Sequence, residues 1–387
     1  MQPMSRRKFV QGSCALSLAA TPLASFAKNL GKHERLLLVG TQTGRGSSSQ
    51  GIYAYAFNTA TGDLKQLGLA VESNSPTFFV LSPDKKFVYS VNEVGRIDGK
   101  PGGSVSSFTF DRSNEKLSFI NSSSSVGGGP THIAVDHTGR CVFAANYGGG
   151  SVVSFQVNDQ GHLSDHVSFV QYEPDASRHE RHPHAHWVTL SPDNRFLLVN
   201  DLGLDQIHIH RLDASTAKLT LNDPPRWRSG VGYGPRSLTF HPNGKWAYCV
   251  CELKPHVYVL NWNAQKGELT TAQDISLEPE DYTGLSAPAT IVFDKKMRFG
   301  YVASRLDDFM ASFSVSPADG KLTPIAHTPC GGKRPRHLAL DPTDSWLLLA
   351  NQDTDNIAVF ARDKKNGHLA ETFQSFSLSK PMCLVFA

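Results

Sequence analysis

Charge is scarce in this chain and nearly cancels. Of 387 residues only 19% are Asp, Glu, Lys or Arg, and 38 basic side chains face 35 acidic ones, a formal +3. That balance excludes the basic stripe of a nucleic-acid binder or of a protein held to an anionic membrane. Paired cysteines are lacking too: there are six, and no CxxC. Cys14 lies in the N-terminal leader described below, and the remaining five are an odd number, which argues against an obligatory disulfide framework. Cys141, Cys249, Cys251, Cys330 and Cys383 therefore read as core filler. Helical periodicity is nowhere sustained. The apolar stretch ending at Ala27 is interrupted by Gln11, Gly12, Ser13, Thr21 and Pro22, which leaves it marginal for a membrane span. Turn chemistry is abundant instead: 32 Gly and 22 Pro with 10% aromatics, the composition of a turn-rich globular protein.

The positive excess sits at the front. Ser5-Arg6-Arg7-Lys8-Phe9-Val10 opens a stretch with three bases and no acid up to Ala27, and Ser25-Phe26-Ala27 places small residues around a cleavage point. The pattern resembles a twin-arginine export signal. Residues 1–27 are thus expected to engage the twin-arginine translocation machinery and be removed. The mature domain, 28–387, would then work in the periplasm or otherwise outside the cytoplasm, with no membrane span. Without Arg6, Arg7 and Lys8 the remainder is formally neutral.

Internal repetition organises the rest. An alternating apolar run, a short turn and then Gly or a polar residue before Leu recurs seven times. It begins with Ile52–Phe57 and Leu64, continues through Val105, Val152, Ile207, Val257 and Met310, and ends with Ile357–Arg362 and Leu369, the leucines lying 46 to 56 residues apart. A second turn precedes each copy after the first, as in Ser82-Pro83-Asp84, Ser191-Pro192-Asp193 and Asp341-Pro342-Thr343. Four short strands in roughly 50 residues is one propeller blade. The chain starts in mid-repeat at Leu36 and finishes on Lys380–Ala387, the strand the start lacks. The expected fold is all-β: a seven-bladed propeller of four-stranded blades, one closed by both termini.

Counting from these turns predicts which residues ring one channel mouth. Seven back come Pro76, Pro130, Ala185, Pro235, Pro288 and Pro335, and one step further in lie Thr77, Thr131, His186, Arg236, Ala289 and Arg336. Ten forward come Glu93, Tyr147, Glu252, Arg305 and Gln352; the segment after Ser191 is read as one residue shorter and gives Asp201. Small polar residues would suffice at such strand ends, yet here they include four cations or imidazoles and three carboxylates. Arginines suit a carboxylate or phosphate, and a His or Glu beside them can move a proton. Inter-blade salt bridges are the alternative for any one of them, Glu93 and Arg336 above all. The run His179-Glu-Arg-His182-Pro-His184-Ala-His186 raises a metal site, but Pro183 interrupts it and no carboxylate stands at a familiar hydrolase spacing, so no metal is assigned.

Several segments carry a family resemblance over essentially the whole mature chain. They include Ala145-Asn-Tyr-Gly-Gly149, His182-Pro-His-Ala-His186, Gly234-Pro-Arg236, Glu252, Ser304-Arg305, Arg334-Pro-Arg-His337 and Ala350-Asn351-Gln352. The chain resembles the seven-bladed propeller lactonases, which hold the propeller-type 6-phosphogluconolactonases and the carboxymuconate lactonizing enzymes. The resemblance implies a metal-independent site acting on a small-molecule lactone, and the chain is read as a monomeric or weakly associating propeller without cofactor. Its catalytic roles fall on His186 (or His184), Arg236, Glu252 and Arg305, with His184, Asp201, Arg336, Tyr147 and Glu93 around the substrate. A muconate-type cycloisomerase and a non-catalytic binding propeller are the competing readings. The chain departs from the family pattern at Ser237, which follows Arg236 where His is common, and at Ser304 before Arg305, where Asn is usual.

Overall fold

Each repeat folds into a four-stranded antiparallel sheet, and seven such sheets surround a common axis. The computed structural model describes residues 30–97, 100–111, 116–174, 181–279 and 281–387, among which there is no helix; the expected leader, 1–27, lies outside the described residues. In blades two to seven the chain runs outward from an inner strand: Phe79–Leu81, Pro130–Val135, Ala185–Leu190, Pro235–Phe240, Pro288–Phe293 and Pro335–Leu340. Blade one takes its inner strand from the other terminus. Pro381–Phe386 pairs with Glu34–Thr41, Val39 opposite Leu384 and Leu37 opposite Phe386. Neighbouring inner strands then touch around the full circle, as expected from the sequence. A small hairpin, Arg96–Ile97 with Lys100–Pro101, interrupts blade two and breaks the repeat.

The apolar residues on the two faces of each sheet are buried against the blades on either side. The core is accordingly split into seven wedges, one per blade interface, as where Phe143 and Val152 of blade three meet Val188 and Leu197 of blade four. The five described cysteines are free and buried within these wedges.

One contact explains why the repeat needs glycine in its outer turn. Gly161, at φ +77°, lies so close to Phe87 of the preceding blade that a Cβ would sit 2.2 Å from the ring. Gly267 meets Phe196 in the same way, Gly320 meets Trp246, Gly367 meets Phe299, and Gly62 meets Trp346. The aromatic opens the second strand of one blade and the turn of the next caps it. Blade four departs from this: Ala217 takes the glycine position, at φ +61°, and the residue opposite is the small Cys141, in the same core wedge. Gly161→Ala is therefore expected to lower stability by about 2–3 kcal/mol, combining overpacking with left-handed strain. Ala217→Gly should change it by less than about 1 kcal/mol. Chemical denaturation of both variants checks the pair.

Candidate active site

The side chains that crowd the mouth are sent there by one irregularity repeated from blade to blade. Outside blade two, each inner strand opens with a residue paired to the end of the next strand: Pro130 with Asn146, Ala185 with Asp201, Pro235 with Cys251, Pro335 with Asn351. The following residue is skipped in the register, and pairing resumes one position on. Thr131, His186, Arg236 and Arg336 are the skipped residues; blade six skips Ala289 and Thr290. A bulge re-aims the extra residue out of the sheet's alternation. Proline is tolerated at its start because it is the first residue of an edge strand.

The second set lies just past the neighbouring strand, each backbone N–H donating to the carbonyl of the residue before the bulge pair. Glu93 donates to Ser75 (3.0 Å), Tyr147 to Gly129 (2.9 Å), Glu252 to Gly234 (2.9 Å), Arg305 to Ala287 (3.0 Å) and Gln352 to Arg334 (3.1 Å). In blade four this position belongs to Leu202, which donates to His184 (3.0 Å). The segment after Ser191 is as long as the others, so the reading of Asp201 as a mouth residue is corrected: it stands one step short. Asp201 is fully buried, accepts the N–H groups of His184 (2.9 Å) and Leu204 (3.0 Å), and lies 3.3 Å from Nε2 of His208. Its carboxylate shapes the loop that carries His184.

The two sets meet around Glu252. Its Oε2 lies 2.8 Å from Nε of Arg236 and 2.5 Å from an Nη of Arg305. Both guanidiniums are also tied to blade six: Arg236 donates to the carbonyl of Ala289, and Nε of Arg305 donates to that of Ala287 (3.1 Å). His186 is buried beside them, and its Nδ1 makes no hydrogen bond to the protein. Tyr147 meets His186 edge-on at 5.6 Å and stacks on His184 at 4.6 Å, while Nδ1 of His184 lies 3.0 Å from the Tyr147 carbonyl. Glu93 accepts a 2.5 Å hydrogen bond from Thr77, a partner that the residue count placed in the ring without a role.

Electrostatically the cluster carries three guanidiniums, Arg236, Arg305 and Arg336, against Glu252 and Glu93. Burial and the nearby Arg305 push Arg236 down to about 9 and Arg336 to about 10. The cluster keeps an excess of positive charge, which a bound anion would relieve. Burial opposes ionisation of Glu252, but Arg236 and Arg305 outweigh it and hold the carboxyl below its ordinary value. Burial first, then the three arginines, keep His186 neutral well below the usual histidine range. Tyr147 stays protonated, raised by burial and by Glu252. Among the described residues no three His, Cys, Asp or Glu side chains converge as metal ligands, and His179 lies outside those residues.

One layer below, residues that follow the mouth positions pack against one another between inner strands. Phe78 contacts His132 (4.2 Å between ring centres), Trp187 (5.2 Å) and His337 (5.4 Å), and His132 stacks on Trp187 at 3.5 Å. Sequence counting stopped one residue short of this floor. The signal was present, since an aromatic or imidazole follows the mouth residue in four inner strands.

A family model described as a seven-bladed β-propeller lactonase matches residues 36–386. The chain belongs to that family. A 6-phosphogluconolactonase of Bacillus subtilis is 32% identical to the lactonase over 350 residues, 90% of this chain and 97% of the relative. A 6-phosphogluconolactonase of Formosa agariphila is 31% identical over 325 residues, 82% of this chain and 90% of the relative. Among solved structures, a periplasmic gluconolactonase of Pseudomonas aeruginosa superposes with a TM-score of 0.85 at 31% identity, covering 91% of this chain and 99% of that one.

The Glu252 ion pairs make a stability prediction for the lactonase. A carboxyl whose folded value is depressed contributes stability above its ordinary value of 4.5, and that contribution is lost as pH falls through the folded value. Glu252→Gln is expected to cost about 3 kcal/mol at pH 7, because two packed guanidiniums lose their counter-charge. The wild-type advantage over the variant should shrink below pH 4.5, as parallel acid titrations of unfolding would show.

Proposed function

We propose that the lactonase hydrolyses a sugar-acid lactone in the manner of a 6-phosphogluconolactonase. The observation that carries this reading is Glu252 fixed between Arg236 and Arg305 beside a neutral imidazole whose Nδ1 has no hydrogen-bond partner. The relatives' names point the same way. Arg236 and Arg305 take the lactone carbonyl and the charge that develops on it, as preorganised donors do in acyl transfer. A water adds to the carbonyl carbon while His186 accepts its proton. The tetrahedral intermediate collapses with cleavage of the ring C–O bond, and His186 returns the proton to the departing ring oxygen. The new carboxylic acid ionises against the arginines. Glu252, bound in two ion pairs, positions them and moves no proton. His184 and Tyr147 line the substrate on one side, Arg336 and Glu93 on the other.

The assay is pH-stat hydrolysis of glucono-δ-lactone and of 6-phosphoglucono-δ-lactone. Arg236→Ala and His186→Ala should each lower kcat/KM at least ~10²-fold, and wild-type turnover in both would overturn the assignment. The low proton affinity of His186 has its own signature. A base titrating at about 6.5 would lose roughly tenfold in rate between pH 7.5 and 5.5. Here kcat/KM is expected to stay level over that range, because the imidazole remains unprotonated.

The same proposal places the enzyme outside the cytoplasm, where an exported chain meets unphosphorylated lactones. It rests on Ser5-Arg6-Arg7-Lys8-Phe9 and on the periplasmic gluconolactonase neighbour. Arg6→Lys with Arg7→Lys should hold the protein in the cytoplasmic fraction; export of that variant at the wild-type level would refute the signal.

A further inference from the structure

The end of the axis opposite the mouth is hollow. Two cavities of about 610 and 540 Å³ lie there and share Phe78, Trp187, Thr239 and Val385, which makes them lobes of one well. Its wall is the third residue after each mouth position: Val80, Ala134, Thr189, Thr239, Val292 and Ala339 in blades two to seven, with Val385 completing the ring from blade one. All are small or β-branched and all are partly exposed, so nothing at this level is long enough to fill the axis. The roof is the layer of Phe78, His132, Trp187 and His337. It carries two free donors. Nδ1 of His132 accepts the N–H of Val188 (3.2 Å), and Nδ1 of His337 accepts that of Leu384 (3.2 Å). A neutral imidazole whose Nδ1 accepts holds its proton on Nε2. Neither Nε2–H has an acceptor among the described residues, and neither is sealed in as a buried orphan. At the rim, Asp341 is held by the N–H groups of Ser345 (2.7 Å) and Trp346 (2.8 Å), and Asp344 by that of Lys295 (3.1 Å), so both carboxylates are committed to turn backbone.

We propose that this well is a second ligand site, for a small aromatic carboxylate whose ring lies among the methyl groups of the wall and whose head accepts the Nε2–H groups of His132 and His337. The volume is that of a small-molecule site. A concave apolar surface left partly exposed gains by being covered, and Phe78 and Trp187 offer rings against which a planar one can pack. Hydrogen bonds from the two imidazoles to a carboxylate are charge-assisted. Burial keeps both rings neutral, helped at His132 by His337 and at each by Arg236, and His337 is pulled down to about 4. The same positive charge that opposes an imidazolium there favours an anion beside it. A polyol fits the wall less well: Thr189 spends its hydroxyl on the Leu238 carbonyl (3.0 Å), leaving Thr239 and Thr290 as the hydroxyls of the lining. The well lies beyond the mouth, and the proposal does not rest on the lactonase reading.

Isothermal titration of the full-length protein with benzoate tests this, with benzamide and gluconate as the arms for charge and for shape. Benzoate should bind, benzamide should bind at least about tenfold more weakly, and gluconate should not displace benzoate. Ala134→Leu with Ala339→Leu fills the wall and should weaken benzoate at least about tenfold, while lactone turnover stays within about twofold of wild type. In the unaltered protein, saturating benzoate should leave KM for the lactone unchanged, because the ring layer stands between the well and the mouth. No benzoate heat up to about 10 mM, or equal binding of benzamide, would overturn the proposal. So would full benzoate affinity in the folded double variant, or a single benzoate equivalent that gluconate displaces or that competes with the lactone, which would place the acid at the mouth arginines. None of these outcomes bears on whether the mouth hydrolyses a lactone.

Discussion

Everything in this molecule depends on the inner strands meeting in a closed circle. Seven sheets that bury both faces against one another need a neighbour on each side. The pairing of Glu34–Thr41 with Pro381–Phe386 supplies the last one by joining the two ends of the chain. Closure is therefore a long-range requirement, made from residues more than three hundred positions apart, and the wedges on either side of blade one are unfinished without it. The glycine-on-aromatic contacts are the local counterpart. They set the spacing at which one blade's outer turn can sit on the next, and the Ala217–Cys141 exception keeps that spacing by exchanging bulk across the interface.

Given closure, the bulges decide what the axis contains. A regular strand would return Arg236 or His186 to the alternation and bury it in a wedge. Skipping one register position instead projects the side chain into the mouth, next to the residue that ends the adjacent strand. The catalytic reading thus uses the edge of each blade, where backbone geometry can be irregular without disturbing the wedges. The ion pairs of Glu252 with Arg236 and Arg305 join blades five and six at the same level, so the group that organises charge also ties two blades together.

Much of this was legible in the sequence because the repeat is a ruler. The turn triplets fixed the blade count, the closing strand and most of the mouth, since each is a fixed number of residues from a Pro or Asp marker. The ruler failed where a residue's chemistry was allowed to override its position. Asp201 looks like a mouth carboxylate, but Leu202 holds that register and Asp201 serves the backbone behind it. Counting could not see the partners of Glu252 or the unpartnered Nδ1 of His186, because these arise between blades. The stacking of Tyr172 on His208 was out of reach for the same reason: the two are distant in sequence and meet only once two blades are side by side.

The layer of Phe78, His132, Trp187 and His337 beneath the mouth has a kinetic consequence. Rings from four blades pack against one another beneath the mouth, so under the proposed function a lactone would arrive and its acid depart through the same doorway above them. Hydrolysis turns an uncharged ring ester into a carboxylate, so the visitor leaves more negative than it came, against the attraction of three guanidiniums. Binding and escape would in this way be set against each other by the same charges, with Glu252 and Glu93 offsetting part of the pull of the three guanidiniums.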